Sequence, residues 1–441
     1  MDTPAIPAPR DANEREILAN LESIRDSLLL LKQDRTKYIR SQDVLQLYDQ
    51  TVEQVRKLRE VREGRQASEN RLDRVLESCF QLLSLFFMTI GRTSEAPAAY
   101  ALTSTIRRLL DHLTEANLFS AKDLESLTHT LERLSVIVNN TEDGHSPYLT
   151  ELLGHRVELC NTLIKKLQEK VQKLEAPLPA IHEKLISILR SMSLANTKPR
   201  FSTTEVQKYK IQLKEIDEQR VDGHFVNDEG KVPAGDEEVS ELLDSCLIWA
   251  DAVLERKGVI ADEFKPMYDT LVGIRNDLEK LSLTQAWSLR ETDLYDFQRQ
   301  LDKFDEARVD GNWYDEEGKP AELYVQRTFL YLIRRSYGLV YSLMISSEPV
   351  SEALLPIYNQ LLTLKRCLVE VKESGGVSSP RELYPYSMKL NSIDNMRVDG
   401  KFLVGGDIPE GQGNVNELLA ECFDLNYELR IDAEDKAGDS A

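Results

Sequence analysis

Arg-Val-Asp-Gly occurs three times in this chain, each time inside a longer phrase that returns with it. The first copy reads Leu213-x-x-Ile216-Asp217-x-x-Arg220-Val221-Asp222-Gly223-His224-Phe225. The second reads Leu301-x-x-Phe304-Asp305-x-x-Arg308-Val309-Asp310-Gly311-Asn312-Trp313. The third reads Leu390-x-x-Ile393-Asp394-x-x-Arg397-Val398-Asp399-Gly400-Lys401-Phe402. The copies start 88 and 89 residues apart. A phrase recurring at one period marks tandem units, and such units bury their apolar faces against one another.

Each phrase opens as helix. Leu-x-x-apolar spacing puts two apolar side chains on one face. The Asp and the Arg stand three apart and can pair there. Val-Asp-Gly is expected to end the helix, because Gly tolerates a left-handed residue. Hairpin-like connectors follow. Asn227-Asp228-Glu229-Gly230 and Asp315-Glu316-Glu317-Gly318 are acidic turns between apolar residues. The third copy has Gly405-Gly406-Asp407 and is expected to be looser. Pro179, Pro266 and Pro356 lie 41, 42 and 41 residues before the next repeated Arg. Proline suits the first turn of a helix, where its missing N–H costs nothing. Each period is therefore three helices and a connector.

The region before the repeats is also helical. Ile17, Leu21, Ile24, Leu28 and Leu31 form one amphipathic face. The stretch 72–90 is apolar on most sides and is expected at the centre. Ser120 with Asp123 has the spacing of a capping box. The expected fold is all-α: an elongated multi-helix bundle array of about fifteen helices with short β-hairpin-like connectors. The expected organisation is a flexible N-terminus (1–12), an N-terminal bundle (13–175), a C-terminal bundle with the three units (176–430) and a disordered acidic tail (431–441).

Lys and Arg number 55 against 75 Asp and Glu, a formal charge of −20. That balance argues against direct nucleic-acid binding and against an anionic membrane surface, since both need concentrated positive charge. No apolar run is long enough to span a bilayer, and the first residues lack a signal peptide's pattern. The five cysteines are far apart without metal or redox spacing, which implies reduced thiols and a cytoplasmic or nuclear setting.

Two residue sets are candidates for function. The first is the corner set: Asp217, Arg220, Asp222, Gly223, Asp305, Arg308, Asp310, Gly311, Asp394, Arg397, Asp399 and Gly400. A corner must be rebuilt in every unit, whereas a catalytic residue need not appear three times, so its expected role is structural. The second set is Arg327, Tyr331, Arg334, Arg335, Lys365 and Arg366, with Tyr337 and Tyr341 nearby. Arg327, Tyr331 and Arg334 share a helix face and could hold a phosphorylated peptide or another polyanion. No catalytic motif, metal-ligand spacing or phosphate-binding loop is present, so neither cofactor nor metal is expected. Trp249, Trp287 and Trp313 are expected as packing anchors.

With the Arg220, Arg308 and Arg397 phrases set among long helices, the chain resembles a fungal family carrying the domain of unknown function 2408. The resemblance brings no active site. It implies a link to the proteasome or to tolerance of DNA damage. The function that fits all these features is a non-enzymatic helical scaffold or adaptor for protein partners. The alternative is a polyanion receptor built on the Arg/Tyr set.

Overall fold

The computed structural model describes residues 7–63, 69–140 and 144–439, without the side chains of 285–288 and 436–439. Its fifteen helices form five bundles of three. Bundle 1 holds α1 (Ala12–Gln33), α2 (Ser41–Arg62) and α3 (Arg71–Thr89). Bundle 2 holds α4 (Ala99–Ala116), α5 (Ala121–Asn139) and α6 (Pro147–Gln172). Bundle 3 holds α7 (Leu178–Asn196), α8 (Thr203–Asp217) and α9 (Asp236–Arg256). Bundle 4 holds α10 (Lys265–Ser288), α11 (Leu294–Glu306) and α12 (Leu323–Ile345). Bundle 5 holds α13 (Leu355–Glu373), α14 (Tyr384–Asp394) and α15 (Gln412–Asp439). In every bundle the first helix packs along the third.

Local chemistry sets the helix starts. Asn70 with Asp73, and Ser120 with Asp123, close reciprocal capping boxes on α3 and α5. Pro179, Pro266 and Pro356 lie in the first turns of α7, α10 and α13. The second helices α8, α11 and α14 end at or just after the phrase Asp, before the phrase Arg. The Asp-Gly pair therefore does not terminate the helix, as the sequence suggested. It forms a separate two-residue turn further on. Among the described residues the named strands belong to the third copy, Arg397–Val398 paired antiparallel with Lys401–Phe402. That copy is tighter than expected, because Val404 and Asp407 close another two-residue turn over Gly405-Gly406.

The bundles are not strung in sequence order. α3 packs on α4 and also on α11, and α12 packs on α4 as well as on α7 and α9. Fourteen of the nineteen residues of α3 are buried, including Phe86 and Phe87. Truncating either phenylalanine to alanine should cost about 3–5 kcal/mol. One apolar core runs from Ile17 to Met344, straight across the boundary expected at 175/176. A second spans Val350 to Ala433 and belongs to bundle 5. The two meet at a tight seam. A Cβ added to Gly91 would lie 2.5 Å from the Ser351 nitrogen, and one on Gly411 would lie 2.7 Å from Val350 Cα. Buried Arg290 pairs with Glu352 at 2.6 Å across the seam, and Arg92 pairs with Glu410 at 2.7 Å.

The accessible surface is 23553 Å². A compact protein of this mass would expose roughly 17,000 Å², so the bundle assembly is elongated. The expected disordered tail is a continuation of α15 as far as Asp439, with Ala433 buried one turn beyond Leu429. At the other end α1 begins at Ala12, and residues 1–6 lie outside the described residues. Among the described residues no helix is long and apolar enough to cross a membrane.

Candidate functional site

The three corners share one geometry. Val221 and His224 exchange backbone hydrogen bonds of 2.8 and 3.1 Å, and Val309 and Asn312 exchange bonds of 2.9 and 3.0 Å. The two residues between have positive φ: Asp222 53° and Gly223 87°, Asp310 50° and Gly311 78°, Asp399 50° and Gly400 77°. Two positive φ values in a two-residue hairpin define a type I′ turn, which Asp-Gly favours. Alternation then aims neighbouring side chains oppositely. The Arg and the aromatic turn inward, while Val221, Val309 and Val398 are left more than half exposed.

Each arginine bonds the aspartate three residues before it. Arg220 Nε donates to Asp217 at 2.8 Å, Arg308 Nη1 donates to Asp305 at 3.1 Å, and Arg397 pairs with Asp394. The outer nitrogens reach further. Arg220 donates to Asp244 of α9 at 2.9 Å and Arg397 to Asn416 of α15 at 3.4 Å. The corner thus ties the second helix of a bundle to the third, within one bundle rather than between successive ones. Arg308 departs from this pattern: it bonds the Gly311 carbonyl at 3.0 Å and Glu115 of α4.

Sequence reasoning missed a second part of the corner. Phe225, Trp313 and Phe402 are fully buried, and each backbone N–H is held by a side chain from the first turn of the next helix. Phe225 N–H donates to Asp236 at 2.7 Å, Trp313 N–H to Gln326 at 3.2 Å and Phe402 N–H to Gln412 at 2.9 Å. Gln326 and Gln412 also donate back to the Trp313 and Phe402 carbonyls, at 3.1 and 2.8 Å.

The second corner extends into a polar network between bundles 1, 2 and 4. Arg108 of α4 faces Asp302 at 3.4 Å and Asp305 at 3.5 Å, and Tyr337 donates to Asp302 at 2.8 Å. His112 Nε2 lies 3.3 Å from Asp305. Burial opposes the charge on Asp305, but His112, Arg308 and Arg108 overcome it and hold the carboxyl at about 2. Burial wins at Asp302 and raises its pKa. Arg74 pairs with Glu306 at 2.7 Å, and Gln81 donates to Gln298 at 2.6 Å. The cleft among these groups holds about 50 Å³, room for a water or two.

The Arg/Tyr set does not converge on one pocket. Arg327 donates to the Ser245 carbonyl at 3.1 Å and hydroxyl at 2.7 Å, against α9. Arg335 reaches Glu279 of α10 at 3.4 Å, and Lys365 pairs with Glu421 of α15 at 2.6 Å. Arg334 donates to the Leu330 carbonyl at 3.1 Å, and burial pulls its pKa down to about 10. Tyr331 is half-buried beside it, and Arg366 is exposed on α13. Tyr337 and Tyr341 face inward, the latter sharing a 2.7 Å hydrogen bond with Thr130. The set divides because α12 turns its members toward different neighbours, and Lys365 and Arg366 stand on another helix, α13.

Larger hollows are open grooves, such as one of about 510 Å³ between α5 and α6. Among the described residues no group of three or more His, Cys, Asp or Glu is placed to hold a metal ion. Trp249 and Trp313 are buried, and Trp287 lies outside the described side chains.

Comparison with known proteins gives the chain's family. The family described as "Protein of unknown function (DUF2408)" matches residues 171–291 and 347–441. A CUB1 family protein of Schizosaccharomyces pombe is 38% identical over 438 residues, covering 97% of this chain and 94% of its own. The chain belongs to the CUB1 family. A second relative, the "Cu(2+) suppressing and bleomycin sensitive protein 1" of Saccharomyces cerevisiae, is 36% identical over 97% of this chain and 91% of its own length. The resemblance carried by the three Arg phrases is therefore shown. The two matched stretches contain the corners at Arg220 and Arg397, while the corner at Arg308, which reaches into bundle 2, lies between them. No solved structure matches the chain.

Proposed function

We propose that this CUB1 family member is a non-enzymatic helical scaffold that binds protein partners on its outer faces. One observation carries the reading: its arginines are largely engaged by its own chain, while rigid turns hold apolar tips outward. Arg220, Arg308 and Arg397 fix the corners, and Arg327 and Arg335 bond neighbouring helices. Val221, Val309 and Val398 remain exposed on two-residue turns closed by paired backbone strands or bridges. Rigid apolar groups lose little entropy on binding and suit a protein surface. The open grooves between helices fit a polypeptide segment better than a small molecule, which favours enclosure.

A cytoplasmic or nuclear setting belongs to the same proposal. Cys79, Cys160, Cys246 and Cys422 are buried and unpaired, as in a reducing compartment. The budding-yeast relative's name ties that protein to Cu(2+) and bleomycin; for this chain, assembly of partners is the form such a role would take.

The test is affinity purification of the tagged full chain from its native cells. Val221→Asp, Val309→Asp and Val398→Asp are compared with Arg334→Glu/Arg335→Glu. Loss of a stoichiometric partner in a valine variant, with retention in the arginine variant, is expected. The opposite pattern favours the polyanion alternative, and a wild-type chain that retains no partner sinks the scaffold reading.

A further inference from the structure

Bundles 4 and 5 align position by position when counted from the corner outward. Leu294 and Leu383 lie fourteen residues before the corner arginine, and Leu301 and Leu390 lie seven before it. On the third helices, counted from the clasping Gln326 and Gln412, Phe329 matches Val415 and Leu343 matches Leu429. All these positions are buried in both bundles. The register is therefore secure, and it exposes a difference.

Tyr295 and Tyr384 both lie thirteen residues before the corner arginine, and Tyr341 and Tyr427 both lie fifteen after the clasping glutamine. In bundle 4 these tyrosines are covered, 7% and 8% exposed. Tyr295 shares a 2.5 Å hydrogen bond with Ser78 of α3, and Tyr341 shares one of 2.7 Å with Thr130 of α5. The covering elements are helices of bundles 1 and 2. In bundle 5 the same two tyrosines are bare, 65% and 55% exposed.

The flanking positions change character. Thr292 and Met344 of bundle 4, both buried, correspond to exposed Arg381 and Arg430 of bundle 5. Those arginines border a groove of about 480 Å³ with Leu383, Tyr384 and Ser387. The Arg430 guanidinium lies 5.2 Å from the Tyr427 ring centre and 3.6 Å from Glu434 on its own helix. No described carboxylate comes within 4 Å of Arg381. Beside the groove, Asn426 donates to Ser387 at 3.0 Å, and its Oδ1 has no hydrogen-bond partner among the described residues.

We infer that the α14/α15 face of bundle 5 is a docking surface for an amphipathic helix with acidic flanks from another protein. The inference rests on the scaffold reading and names its face and partner class. The occupant is helical because helices cover the matching tyrosines in bundle 4, offering hydroxyls to both. It is acidic because two arginines replace the buried threonine and methionine, in a chain whose net charge is −20. A carboxylate between Arg381 and Arg430 would gain a charge-assisted bond on a partly apolar surface. A second copy of this acidic chain would meet repulsion away from that face.

The experiment uses the full chain and two fluorescein-labelled helical peptides. Both carry the inward face of α5, Leu124, Leu127, Thr130, Leu131 and Leu134. One has glutamate at its outer positions and the other has lysine. Binding is read by fluorescence anisotropy. The glutamate peptide should bind about tenfold tighter or more, as oppositely charged rims dictate. Arg381→Glu/Arg430→Glu should reverse the preference. Tyr384→Ala/Tyr427→Ala should weaken both peptides about tenfold, with helical circular dichroism unchanged. Equal binding of the two peptides, a preference that survives charge reversal, or no binding of either overturns the inference. So does a dimer, seen by sedimentation, that the tyrosine variant dissociates. If the peptides fail while the tagged chain still retains a partner in native cells, the face is wrong and the scaffold reading stands.

Discussion

Asp305 shows how much one buried charge contributes. Its pKa is held at about 2 against an ordinary 3.8, so the folded state favours the ionised form. The sign follows directly: the stabilisation is fully present above about pH 4 and is lost as pH falls toward 2. Its size is about 2 kcal/mol. Asp305→Asn should therefore destabilise the chain by that amount at pH 7 in denaturant melts, with the difference from wild type closing below pH 4. The clasp should weigh unequally among bundles. Gln326→Ala orphans the buried N–H of Trp313, whose carbonyl keeps the Ala321 N–H, and should cost about 1–3 kcal/mol, whereas Gln412, half-buried, should cost less. The Asp/Arg pairing was legible in the sequence because three-residue spacing on a helix dictates it. The clasp was not, because its residues follow the aromatics at irregular distances of eleven, thirteen and ten positions.

The elements themselves were largely legible, since Leu-x-x-apolar spacing and first-turn prolines mark helices directly. The corner was read as a helix end because Gly serves both uses, and the decisive fact is that two successive residues have positive φ. That fact makes a prediction. Alanine at Gly223 meets no atom within 4 Å, so Gly223→Ala should cost the backbone strain alone, about 1–2 kcal/mol. At Gly311 the new Cβ would come 3.3 Å from Glu115 and 3.4 Å from Arg308, so Gly311→Ala should cost more. Thermal melts of the two variants decide the order. The end of α15 was misjudged for another reason. Its acidic, small-residued composition suggested disorder, yet Ala433 is buried one turn past Leu429. Amide exchange at Ala433 should be slow, and fast exchange there would contradict a helical end.

The whole molecule departs from a sequential array because α3 and α12 recruit partners far along the chain. Such contacts leave no trace in local periodicity, so a break near Pro177 looked natural while the core ignores it. Fragment 13–175 should expose the apolar face that α3 and α4 bury against bundle 4, and should aggregate. Fragment 7–345, which keeps the first core whole, should melt cooperatively by circular dichroism. The seam at Gly91 and Gly411 sets the direction in which bundle 5 points. Backbone meets backbone there, so even one methyl group would act as a wedge. Helix α15, 28 residues long, extends about 40 Å. A displacement of about an ångström at such a hinge line grows along a lever of that length. Gly91→Ala could thus leave both cores intact and still swing whatever bundle 5 carries out of reach of the rest of an assembly.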